Sequence, residues 1–317
     1  MFYPISYEQK VDLGNVNKAT FRITADGVVI YQGVAHRRPN EKSLVVTIND
    51  VCADYVSTTM PSWENIVVES ETPTIAVQVL NGDTWEDKKR LQFFNDWTYK
   101  FDGTFGKLSK PINGHIRKDM PIVVSVGSPQ SKINVYYTRK VNITPIPSVE
   151  IANIPSVVAN HWIYLPDILP EYAMADLVSV SVGTASYSVV DSCSKYALFY
   201  TNALGGWDTF LIEGNYKEVD NLERHTRTLQ DEGRRNYAND IRKTFTFHTT
   251  WLTDDEASRM HHLLNSTDVY LYNHEMMDVT PVTIKNTSTE YKTFKNNGGK
   301  LVNYVIEVEF SKDKIRR

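Results

Sequence analysis

The sequence predicts a mainly β protein: tandem β-sandwich-like modules followed by a C-terminal α+β module with one short helix on an antiparallel sheet. Three observations carry this. The chain holds 18 Tyr, 12 Phe and 6 Trp beside many Val, Ile and Thr, the side chains that fit a pleated, half-buried surface. Short runs of these residues recur at nearly even intervals between turn residues, as in sandwiches and barrels. Near the C-terminus a helical period interrupts the two-residue one and then gives way to it again. With 317 residues there is chain enough for several small cores.

The first strands read from "TFRITADGVVIYQGV", where Phe21 and Ile23 alternate with polar residues and Val28 to Tyr31 resume the pattern after Asp26-Gly27. An Asp-Gly pair between two such runs is a strong hairpin signal, because a type I′ turn needs positive φ at both central positions. In "TINDVCADYVSTTMPSW" the strand rhythm breaks. Asn49 or Asp50 is placed to cap a short helix that turns Ile48, Cys52 and Tyr55 or Val56 to one side, with Pro61 as its far limit. Strands follow at "NIVVES", "TIAVQVL", "RLQFFNDWTYKF", "MPIVVSV" and "KINVYYT", with turns at Asn81-Gly82-Asp83 and Asp102-Gly103. The run "NITPIPSVEIANIPSVV" carries Pro145, Pro147 and Pro155; prolines cannot donate to a ladder, so a boundary is expected near residue 147.

A β module is expected over 148–215, with strands at "HWIYLP", "DLVSVSVG" and "SYSVV". Residues 216–239 read as a charged arm, either mobile or ordered only against a neighbour, since its apolar residues are too sparse to define a core face. From 240 to 317 the pattern sharpens into the α+β module. Phe245, Phe247 and Trp251 fall on one face of a strand, and Thr253 with Glu256 forms a capping box. Ala257, Met260, Leu263 and Leu264 make a helical stripe, and Val302, Tyr304, Ile306, Val308 and Phe310 alternate with polar residues in the last strand.

Charge and composition exclude several functions. A formal net charge of -4 leaves no basic footprint for nucleic acid. No apolar run reaches the length of a membrane span, the start of the chain lacks a signal-peptide pattern, and a soluble protein is expected. Cys52 and Cys193 are far apart and imply no disulfide framework. Both are expected to be inert thiols in apolar surroundings. No nucleophile elbow or defensible carboxylate pair is present. His261 and His262 are adjacent helical positions pointing about 100° apart, which cannot chelate one ion together. No catalytic residue, cofactor or metal is expected.

One stretch reads as a site. In "YALFYTNALGGWDTFLIEG" the pair Gly205-Gly206 precedes Trp207 and Asp208. A phosphate cradle is excluded, since neither a helix start nor a Lys-Ser or Lys-Thr follows. Two readings remain: a hairpin corner with Gly205 or Gly206 at positive φ, and a sugar platform in which Trp207 stacks and Asp208 accepts from hydroxyls. Trp162 and Trp97 would be further platforms on that second reading.

Together, "FRITADGVVIYQGVAHRRPNEKSLVVTINDVCADYV", "YALFYTNALGGWDTFLIEG" and the ending from "VYLYNHEMMDVTPVTIKN" to "VIEVEFSKDKIRR" resemble virion structural proteins of tailed phages and prophages of Bacteroidetes. The resemblance implies a component of a tail, hub or baseplate, made in the host cytoplasm and repeated around a symmetry axis. Its partners would be other virion proteins and copies of itself in a ring, without nucleic acid or membrane. Arg224, Arg227, Arg234 and Arg235, interspersed with Glu223, Asp231 and Glu232, would then supply polar rim contacts from the arm. The alternative is an adhesin module that binds a host surface glycan through exposed tryptophans.

Overall fold

The computed structural model describes residues 2–5, 8–56, 58–69, 73–94, 109, 111–127, 133–139, 146–151, 158–183, 185–229, 233–286, 291–296, 299–311 and 314–316. Asp102-Gly103, Trp97, Pro145 and Pro155 lie outside them. The fold is mainly β, with several antiparallel sheets and four short α-helices among the described residues.

The first part of the chain contains β1 (Phe2–Pro4), β2 (Lys10–Gly14), β3 (Lys18–Ala25), β4 (Val28–His36), β5 (Leu44–Thr47), α1 (Asn49–Cys52), β6 (Val67–Glu69), β7 (Thr74–Asn81) and β8 (Thr84–Phe94). One sheet has the order β1-β8-β7-β3-β4, and β2 pairs with β5. The β3–β4 hairpin turns at Asp26 (φ 46°) and Gly27 (φ 86°), both in the left-handed region as the type I′ turn requires. Inward-facing Phe21, Ile23, Ile75, Val77, Leu91 and Phe93 join Ile48, Cys52 and Val56 in one core. Helix α1 differs from expectation in its cap. Ile48 occupies the cap position with no side-chain bond. Asn49 is buried and holds the N-terminal segment instead, accepting from the Gln9 N–H (2.6 Å) and donating to the Ile5 carbonyl (2.5 Å).

The middle of the chain adds β9 (His115–Ile116), β10 (Ile122–Gly127), β11 (Ile133–Arg139), β12 (Ile146–Ile151), β13 (Val158–Ile163), α2 (Leu165–Ile168), α3 (Glu171–Ala175), β14 (Leu177–Val182) and β15 (Ala185–Val189). These form the sheets β10-β13-β6 and β12-β11-β14-β15-β9. The boundary expected at residue 147 falls inside β12, and the ladders β10–β13 and β11–β14 both cross it. Pro147 belongs to an edge strand, where a missing N–H costs no ladder bond.

The last part holds β16 (Tyr196–Thr201), β17 (Trp207–Leu211), β18 (Tyr216–Leu229), β19 (Gly233–His248), β20 (Leu252–Thr253), α4 (Asp254–Leu264), β21 (Val269–Asn273), β22 (Asp278–Ile284), β23 (Tyr291–Asn296), β24 (Gly299–Phe310) and β25 (Lys314–Arg316). They build a ten-stranded sheet along β17-β16-β21-β22-β24-β19-β18, with β20 and β23 against β24 and β25 against β19. Helix α4 has the expected capping box, and Ala257, Met260 and Leu263 are buried. They pack on the sheet against Leu198, Phe245, Phe247, Tyr304, Ile306 and Val308. Trp251 departs from expectation: β19 ends at His248, so the alternation stops short of it and its side chain is exposed. The sheet also begins earlier than residue 240, since β16 and β17 are its members and β19 runs unbroken through 239 and 240.

Candidate functional site

Two places hold the candidate residues: the corner at Gly205-Gly206 and the segment 216–239. At the corner, β16 and β17 pair antiparallel with Thr201 opposite Trp207. Asn202 organises the turn. Its Oδ1 accepts from the N–H groups of Leu204 (2.8 Å) and Gly206 (3.2 Å), and its Nδ2 donates to Asp208 Oδ2 (2.6 Å). Gly205 takes φ 80°, in the region a β-branched residue avoids. The corner is clamped from α4, where His262 Nδ1 accepts from the Ala203 N–H (3.1 Å).

The sugar platform does not fit this geometry. Trp207 is 1 % exposed and Asp208 0 %, so neither ring face nor carboxylate meets solvent. Trp162 is 4 % exposed and packs edge-on to Phe199 at 5.4 Å. The cause is a second layer: the sheet containing β10 and β13 covers the outer face of β16 and β17, closing a core of Met120, Val123, Trp162, Phe199, Trp207 and Tyr272. Polar residues in β17 serve that contact. The Val123 N–H donates to Thr209 Oγ1 (2.7 Å), which donates back to the Val123 carbonyl (3.1 Å), and the Trp207 N–H donates to Ser125 Oγ (2.6 Å). Burial, reinforced by the nearby Asp208 charge, pushes the Tyr187 and Tyr200 hydroxyls well above their usual 10.

The described residues of the segment 216–239 are strand. β18 and β19 form an antiparallel ribbon from Tyr216↔Phe247 to Leu229↔Gly233, broken by one register shift between His225 and Thr226. β24 pairs with β19 only over Thr244–His248, and β25 only over Asn239–Ile241. Beyond them β18 and β19 pair only with each other among the described residues. β18 is the sheet's terminal strand, so one whole edge is unpaired among the described residues. Arg224, Arg227 and Arg234 are exposed, as are Leu222 (55 %) and Tyr237 (57 %). The register places Arg224 and Arg234 on one face of the ribbon and Arg227 on the other, with Arg235 as Arg227's partner position. The arginines therefore do not form one patch. Asp231 and Glu232 lie outside the described residues.

Elsewhere, polar clusters join elements. His115 Nδ1 meets Glu213 Oε2 at 2.7 Å, and that hydrogen bond raises the imidazole above its usual 6.5. Arg117 and His274 share Asp119, at 2.5 and 3.2 Å. Burial pushes the Cys52 thiol up to about 12, which keeps it protonated at neutral pH. Cys193 departs from expectation, being exposed in the loop before β16. His261 is exposed at the helix end while His262 serves the corner. No protein-family model and no curated protein matches the sequence.

Proposed function

We propose that this chain is a non-enzymatic structural subunit of a phage tail, hub or baseplate, acting through contacts with copies of itself and with other virion proteins, and that the β18–β19 ribbon is its assembly arm. The observation that carries the reading is the ribbon's free edge. Exposed edge strands are pairing sites that proteins otherwise cover, shorten or blunt, and this one spans 14 residues, roughly 45 Å at strand rise. It is not apolar enough to aggregate indiscriminately: Lys217 is followed by the acids Glu218, Asp220 and Glu223 and then by the bases Arg224 and Arg227, so each sign occupies its own stretch of the strand. Such an edge accepts a strand or loop of complementary charge and rejects others. Exposed Leu222 and Tyr237 would be the apolar anchors of the contact.

Reversing the exposed charges tests this reading. In Arg224→Glu/Arg227→Glu/Arg234→Glu, self-association in analytical ultracentrifugation should weaken by about tenfold or more, with an unchanged far-UV spectrum. Association at the native strength in that variant would remove the arm from the interface.

A further inference from the structure

The ribbon also gathers three metal-type donors. Glu223 and His225 are two residues apart on β18, so the pleat turns both side chains to one face. Asp240 on β19 is the register partner of Glu223 and therefore shares that face. One ligand atom from each lies within 4.8 Å of the others, and His225 Nε2 is 2.9 Å from Asp240 Oδ2. Glu223 is exposed and the other two are half-buried, which leaves the outer side of the cluster open to water.

We propose that Glu223, His225 and Asp240 bind a divalent transition metal of the zinc class, which links the two strands of the arm. Three protein ligands with an open fourth position suit a tetrahedral ion completed by water or by a neighbouring molecule. The donor set selects the metal. One imidazole with two carboxylates and no thiolate suits Zn²⁺, Co²⁺ or Ni²⁺, whereas Ca²⁺ and Mg²⁺ are taken by oxygen donors alone. With the imidazole neutral, the cluster carries two negative charges, which a dication neutralises and a lone His–Asp pair does not. The register shift beside His225 adds Tyr237 to β19, and its ring stands 6.1 Å from the imidazole, next to the cluster. Two cations temper the affinity. By register Arg242 lies one step toward the sheet on this face, and Arg227 one step toward the tip. The site is built by one chain and does not depend on the assembly reading.

The test is isothermal titration of the untagged, EDTA-stripped full chain with zinc chloride, and with calcium chloride in parallel. Expected is one Zn²⁺ per chain with a dissociation constant on the order of micromolar, and no calcium uptake. His225→Ala and Asp240→Asn should each weaken zinc binding about tenfold or more, while His248→Ala, on β19 away from the cluster, should leave it unchanged. Cobalt chloride supplies a second readout: visible absorption bands of bound Co²⁺ should appear with the native chain and disappear in His225→Ala. Circular dichroism verifies that the variants fold. No saturable zinc binding below millimolar concentration, or the same binding in a folded His225→Ala, would overturn the site.

Discussion

At the scale of single residues, backbone and burial decide more than chemistry does. Gly205 holds φ 80° inside a corner fixed by Asn202 and His262, so Gly205→Val should cost about 1 kcal/mol or more in chemical denaturation. Gly214 is stricter for a different reason: a Cβ there would collide with the His248 carbonyl oxygen. His161 gives a pH dependence. It is 1 % exposed on β13, neither ring nitrogen has a hydrogen-bond partner among the described residues, and burial lowers its pKa from the usual 6.5 to about 4. The unfolded chain therefore binds this proton more readily than the folded one. Its contribution is whole above pH 6.5 and shrinks as the pH falls toward 4, a loss of about 3 kcal/mol at most. Thermal melts should show the native chain losing stability from pH 7 to pH 5 faster than His161→Leu; parallel losses would place the acid sensitivity elsewhere. Of the two sequence readings at Trp207, the turn was legible because Asn-x-x-Gly-Gly chemistry is local. Its burial was not, since β16 and β17 are covered on both faces and the covering sheet comes from residues far away in the chain.

At the scale of elements, legibility followed the locality of the signal. The Asp26-Gly27 hairpin and the Thr253–Glu256 capping box are each written within four residues, and both are present. Thr253→Ala should therefore lower stability by about 1 kcal/mol in denaturant titration. The ribbon carries no apolar alternation to mark it as strands, because it is a solvated strand pair. Its signal lies instead in Thr226, Thr228, Thr244 and Thr246, β-branched residues spaced by two. The Glu223–His225 spacing is visible in the sequence, but Asp240 joins them only through the strand register. Deleting all of 216–239 would strip the sheet of β18. Replacing 225–238 with Asn-Gly, between the paired Arg224 and Asn239, removes only the projecting tip. The melting temperature of that chain should stay within about 2 °C of the native value, because the excised pairs bury little apolar surface. A fall of about 10 °C would make the tip part of the folded core.

At the scale of the molecule, the strand ladders bind the parts of the chain to one another. β6 of the first part and β13 of the second share a sheet, and that sheet backs onto β16 and β17 of the third. Proline content around residue 147 reports the loss of ladder donors and not the end of a core, since the ladders β10–β13 and β11–β14 run across it. Among the described residues the tip of the ribbon, 225–238, adds no buried side chain to these cores, and the proposed role as an assembly subunit rests on it. The most direct measurement is negative-stain imaging with mass photometry of the native chain beside the tip-excised chain, each at matched concentrations. The expected result is closed oligomers of the native chain and monomers of the excised one. Monomers in both, or the same closed oligomers in both, would contradict assembly through the arm.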